Sequence, residues 1–306
     1  MSLSRRDFVK LCTGTVAGFG ISQMYNPAVL QALEKGLPKV FWIQGQGCTG
    51  CSVSILNSVH PSIADVLLKV IDMEFHPTIM GGEGEGAMEN MFEKAKEYKG
   101  EYFVIVEGSI PTAEDGKYCI IGDYHHKEYS VQEAVRMLAK DAAAVVSVGT
   151  CAAYGGIPAA AGNLTESKSV KADLDDAGIA TPVVNVPGCP PHPDWMVGTL
   201  VYALTNGVAA TAEILDSDGR PEIFFGENIH ENCPYLDKYD NDELATTFTD
   251  QTNCRVSIGC KGPNAYADCY KRKWNGGVNW CIENAICIGC VEPGFPDEMS
   301  PFYEGE

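Results

Sequence analysis

Three sets of four soft donor side chains run through this sequence. The first is Cys48, Cys51, Cys151 and Cys189, in GCTGC, GTCAAYGG and PGCPPHPDW. The second is His230, Cys233, Cys254 and Cys260, in HENCPY and TNCRVSIGC. The third is Cys269, Cys281, Cys287 and Cys290, in ADCYKRKW and NWCIENAICIGC. Thiolates favour soft and borderline metals, and four of them suit a 4Fe–4S cluster. Glycines beside the first set let the backbone approach inorganic sulfide and donate N–H bonds to it. The same His and Cys donors suit tetrahedral zinc. Cysteine is also a common small core residue, although that explains single cysteines better than matched sets.

Eleven of the thirteen cysteines are used in this way. Cys12 and Cys119 are left over, and Cys119, in GKYCIIG, reads as a core residue. An odd count in a chain of 306 residues does not fit a small disulfide scaffold. A competing motif overlaps the first set. Gly45, Gly47 and Gly50 match the dinucleotide fingerprint after a strand, and Asp72 stands where a ribose carboxylate would. Two cysteines inside that turn would crowd a pyrophosphate. The remaining histidines read more plainly: His60 and His76 as surface or core fillers, His125 and His126 as an exposed loop, His192 as packing close to a donor.

The elements that position these donors are legible in outline. Short apolar runs at 39–45, 70–75, 101–108, 143–149 and 181–188 are rich in β-branched and aromatic residues, and most stop at glycine. Helix-like segments lie between them, for example at 90–98 and 130–140, with one more at 195–206. Such alternation implies an α/β unit built on a parallel sheet, and five strands suit a flavodoxin-like order. In an open parallel sheet the loops at the carboxyl ends of the strands converge on one edge, so the first set can meet there although its members are far apart in sequence. The stretch at 81–86, GGEGEG, reads as a flexible loop. Beyond about residue 195 come short polar segments rich in Gly, Pro and Cys. Such a region needs staples to fold. The expected division is a leader at 1–34, a flavodoxin-like domain at 35–195 and an irregular cluster-binding domain at 196–306.

Composition narrows the function classes. The formal net charge of −19 and the lack of a basic stripe exclude a nucleic-acid role. No run of 18 apolar residues occurs, which argues against a transmembrane helix. At the N-terminus, Arg5 and Arg6 precede a weak apolar stretch rich in Gly and Thr. This reads as a twin-arginine export signal and a periplasmic address. Export of an already folded, metal-loaded chain reconciles many cysteines with an oxidising compartment.

Taken together, the twin-arginine start, the CTGC turn, GTCAAYGG, GCPP, HENCP and the closing CIGCVEP resemble the small subunit of nickel–iron hydrogenases, over essentially the whole chain. The resemblance implies three 4Fe–4S clusters: proximal on Cys48, Cys51, Cys151 and Cys189, distal on His230, Cys233, Cys254 and Cys260, and medial on Cys269, Cys287 and Cys290. Two positions depart from the common pattern. Val53 stands where an acidic residue is usual, and Cys281 where proline is usual; both departures resemble the nickel–iron–selenium subgroup. Cys281 is then the fourth medial ligand. The implied reaction is H2 = 2H+ + 2e−. The Ni–Fe site, here of the Ni–Fe–Se kind, belongs to a separate large subunit, so this chain holds no nickel. The expected electron partner is a c-type cytochrome.

Overall fold

The structure, a computed structural model, describes residues 37–59 and 61–304. Arg5, Arg6, Cys12 and His60 lie outside the described residues. Among the described residues there are seven strands: β1 (Lys39–Gln44), β2 (Asp72–Phe75), β3 (Tyr102–Glu107), β4 (Ile120–Tyr124), β5 (Lys127–Ser130), β6 (Ala144–Val148) and β7 (Val183–Val186). Five form one sheet in the order β2-β1-β3-β6-β7, all parallel. Counting only those five, this is the 2-1-3-4-5 order of a flavodoxin-like sheet. The expected strands are all present, each trimmed at its ends. The small β4–β5 hairpin was not foreseen. Its turn is His125–His126, both exposed and both at positive φ, as a tight hairpin turn requires.

Alternation along the strands builds two cores. Phe41, Ile43, Val104 and Val106 face helices α2 (Gly84–Glu97) and α3 (Val131–Ala139). Val40, Trp42, Ile105 and Val146 face the other way, onto α6 (Pro193–Ala212). Helix α2 begins at Gly84, inside the stretch expected to be a loop. Ala87, Met88, Met91, Phe92 and Ala95 fall on one helical face and are buried, and that packing outweighs the poor helix propensity of the glycines. Ser130 and Ser169 cap α3 and α5 (Val170–Asp176) by accepting N–H bonds from Glu133 and Ala172.

The C-terminal part has short helices and turns but no strand of the sheet. It does not build a core of its own. Phe224, Phe225, Ile229, Ala265, Trp280 and Val291 join the cluster around Trp42 and Trp195. Polar ties fix it to α6. Trp195 Nε1 donates to Asp268 at 2.7 Å, and Arg272 Nη1 donates to Asp194 at 2.9 Å. Arg220 pairs with Asp216, Asp218 and Glu292. Among the described residues no helix is long and apolar enough to cross a membrane.

Candidate metal centres

The first set of donors gathers at the carboxyl edge of the sheet. Cys48 and Cys51 lie in the turn from β1 into α1 (Gly50–Leu56). Cys151 lies in the first turn of α4 (Thr150–Tyr154), directly after β6, and Cys189 follows β7. Burial raises the Cys51 thiol, and the charges of Glu107, Cys151, Cys189 and Cys48 raise it further. Cys151 is pushed up to about 11 by burial and then by Cys189. The Cys51, Cys151 and Cys189 thiols each feel the charge of other members of the set. The backbone leaves room for sulfur. A Cβ on Gly149, which has φ of 88°, would lie 2.5 Å from Cys51 Sγ.

Glu107, at the end of β3, holds the CTGC turn from behind. It is buried, and it accepts the N–H bonds of Cys51 at 2.9 Å, Ser52 at 3.0 Å and Trp42 Nε1 at 3.0 Å. The Ser52 hydroxyl also contacts this carboxylate and lies 3.3 Å from His76 Nε2. His76 is therefore a buried support beside the turn, and burial lowers its pKa.

In the second set, the N–H of Cys233 donates to the carbonyl of His230 at 3.0 Å, placing both in one turn. The Nε2 atom of His230 is buried and has no hydrogen-bond partner in the protein. A buried imidazole nitrogen left in that state is costly, whereas metal ligation satisfies it. Cys233 is pushed up to about 11 by burial, with Cys260 and Cys254 adding their charges. Cys254 is itself buried.

In the third set, Cys269 opens the helix Cys269–Arg272 and Cys281 opens the helix Cys281–Asn284. Cys269 and Cys287 are buried and their thiols are raised, first by burial, then by the other members of the set. Cys281 is exposed on one side, but the protein around its sulfur still pushes it up to about 12, with Cys290 adding to the shift. The N–H of Gly289 donates to Cys287 Sγ at 3.4 Å.

The three sets form a row whose order is not the order of the chain. The hydroxyl of Thr150, next to Cys151, donates to the Cys290 carbonyl, joining the first set to the third. The N–H of Lys261, next to Cys260, donates to the Cys287 carbonyl at 2.8 Å, joining the third to the second. The third set therefore lies in the middle. Among the described residues no three His, Cys, Asp or Glu side chains surround a point that a single ion would occupy. The thiolate-rich donor sets suit iron–sulfur clusters.

The other residues singled out in the sequence take plainer places. The dinucleotide motif is closed off: Gln46 and Ser109 exchange backbone hydrogen bonds at 2.9 Å, zipping the β1 and β3 loops together where a pyrophosphate would enter. Cys119 is half-buried against the core of the α2 face. His192 packs between Trp195 and Trp274, caps α6 by accepting the Asp194 N–H at 3.0 Å, and through Nε2 meets the Lys273 carbonyl. It joins the Cys189 loop to the C-terminal part. Glu107, Thr150 and Arg255 were not singled out from sequence. Glu107 carried a faint signal, a lone acid closing an otherwise apolar buried strand.

The fold and donor sets define the chain as an iron–sulfur oxidoreductase subunit. Two families match it in succession: "NADH ubiquinone oxidoreductase, 20 Kd subunit" over residues 48–203, and the C-terminal region of the NiFe/NiFeSe hydrogenase small subunit over residues 225–303. The chain belongs to the small subunits of the nickel–iron and nickel–iron–selenium hydrogenases. It is 59% identical to the periplasmic [NiFeSe] hydrogenase small subunit of Desulfomicrobium baculatum, over the full length of both. It is 37% identical to the periplasmic [NiFe] hydrogenase small subunit of Solidesulfovibrio fructosivorans, covering 99% of this chain and 93% of that one. The solved [NiFeSe] hydrogenase of Desulfovibrio vulgaris Hildenborough superposes with a TM-score of 0.86 at 62% identity, covering 88% of this chain and 98% of the other. The chain is thus an oxidoreductase subunit that works in electron transfer with a hydrogenase large subunit.

Proposed function

We propose that this chain holds three 4Fe–4S clusters and relays electrons between the Ni–Fe site of its large subunit and a c-type cytochrome. The reading rests above all on the contacts between the donor loops: Thr150, beside Cys151, donates to the Cys290 carbonyl, and the N–H of Lys261, beside Cys260, donates to the Cys287 carbonyl at 2.8 Å. Clusters of this kind take up and release single electrons at potentials set by ligand type, hydrogen bonding and burial. Cys48, Cys51, Cys151 and Cys189 would hold the proximal one. Cys269, Cys281, Cys287 and Cys290 would hold the medial one, and His230, Cys233, Cys254 and Cys260 the distal one.

The chain's own residues do the rest. Glu107 fixes the CTGC turn and places a negative charge behind it. Thr150 and His192 lock the proximal loops onto the C-terminal part. The exposed apolar side chains Val53, Leu56 and Val59, beside the first set, support coverage of this edge by the large subunit. The relative at 59% identity, named as a [NiFeSe] enzyme, supports a large subunit of the Ni–Fe–Se kind. His230 marks the far end, where a neutral ligand replaces a thiolate and reduces the negative charge of the centre. The chain's net charge of −19 would draw a basic cytochrome.

The relatives named as periplasmic, together with Arg5 and Arg6, support export to the periplasm by the twin-arginine route. The domain division at 34/35 and 195/196 belongs to the same reading. Metal analysis tests it: the small subunit should carry about twelve irons with matching sulfide, with nickel confined to the large subunit. Stoichiometric zinc in place of iron would overturn it.

A further inference from the structure

Arg255 directly follows the distal donor Cys254 and is only 2% exposed. Its buried guanidinium donates to backbone carbonyls alone: Nε to Asp250 at 3.1 Å, and Nη1 to Ile282 at 2.5 Å and to Ala285 at 2.6 Å. Its Nη2 is buried without a partner. The other described arginines all meet carboxylates: Arg136 meets Asp173, Arg220 meets Asp216 and Glu292, and Arg272 meets Asp268 and Asp194. Among the described residues, Arg255 alone of the arginines makes no ion pair.

A buried guanidinium cannot shed its proton, and a buried charge without a counter-charge is strongly unfavourable. Something anionic must therefore face Arg255. The groups near it that become anionic on ligation are the sulfurs of Cys233 and Cys260: the Arg255 carbonyl accepts the Cys260 N–H at 3.2 Å, and both thiols feel its charge. Tyr235 covers the guanidinium, with its ring centre 5.7 Å away. The two carbonyls on Nη1 belong to the Cys281–Cys287 segment, so the same side chain bridges the distal and medial sets.

We propose that Arg255 is the positioning residue and counter-cation of the distal centre: its unpartnered Nη2 faces the sulfur ligand shell, its charge stabilises the reduced form, and its Nη1 fixes that centre against the medial loop. This rests on the reading of His230, Cys233, Cys254 and Cys260 as ligands of one cluster. Outer-shell donors and nearby charge are what tune the potential of such centres.

The test uses the assembled heterodimer, with Arg255→Gln, which removes the charge, and Arg255→Lys, which keeps it. Each is reduced stepwise at controlled potential and followed by electron paramagnetic resonance. Nitrogen-15 labelling of histidine marks the distal signal, because a single histidine ligates and it does so there. The proposal expects the marked signal in Arg255→Gln to be reduced only at lower potential, Arg255→Lys to recover part of the shift, and iron content to hold. An unmoved signal in a fully loaded Arg255→Gln overturns it. Should Arg255→Gln lose about four irons, retention of them in Arg255→Lys supports the charge role, and their loss from both variants overturns it. Absence of histidine coupling in the wild-type protein would instead overturn the ligand reading on which the proposal stands.

Discussion

The side-chain hydroxyl of Thr150 donates to the carbonyl of Cys290 and accepts the N–H of Gly188 at 2.9 Å. One buried hydroxyl thus ties together the loops that carry Cys151, Cys189 and Cys290. Thr150→Val keeps the shape and leaves a buried N–H and a buried carbonyl without partners. The expected loss is about 2 kcal/mol of stability, read as a lower melting temperature of the heterodimer, and Thr150→Ser should restore most of it. An unchanged melting temperature in Thr150→Val would remove the tie from the account.

Glu107 separates charge from hydrogen bonding at the proximal turn. Glu107→Gln keeps an acceptor for the N–H groups of Cys51 and Ser52 but removes the negative charge behind them. The proximal couple should then move to higher potential in redox-monitored electron paramagnetic resonance, with iron content unchanged. Glu107→Ala leaves those N–H groups and Trp42 Nε1 unsatisfied, and should lose iron from the purified complex.

In the proposed relay Cys281 is the fourth medial ligand. A proline there has no donor, so Cys281→Pro should convert the medial centre to a three-iron form, visible in the spectrum of the oxidised protein. No new three-iron signal in that variant would remove Cys281 from the ligand set.

The acidic chain should steer its electron partner. H2-driven reduction of a basic c-type cytochrome should slow as salt is raised from about 0.01 M to 0.15 M, over which the screening length falls from roughly 30 Å to 8 Å. Isotope exchange between H2 and water, which needs no electron exit, should not respond. Equal behaviour of the two assays would end the steering argument.

The two halves of the molecule were legible to different degrees. The first donor set could be placed from sequence because each cysteine follows a recognisable strand, and parallel strands bring their carboxyl ends to one edge. The order of the sets in space was not legible from spacing alone, because it depends on contacts such as Thr150–Cys290 between segments far apart in the chain. The burial of Arg255 is not legible in the sequence, because arginine is by default a surface residue and nothing in its neighbours announces burial. The start of helix α2 is hidden in the sequence because its glycines speak against a helix, while the buried face from Ala87 to Ala95 decides for one. The His125–His126 turn shows the reverse: the exposed loop was evident, but not the hairpin around it.

Diffraction from crystals of the heterodimer at the iron absorption edge tests the relay most directly. The account predicts three separate iron clusters in this chain, the middle one within Cys269, Cys281, Cys287 and Cys290, and the outer two at the Cys48 and His230 ends. Single-ion peaks at the zinc edge, or iron missing from the middle position, would contradict it.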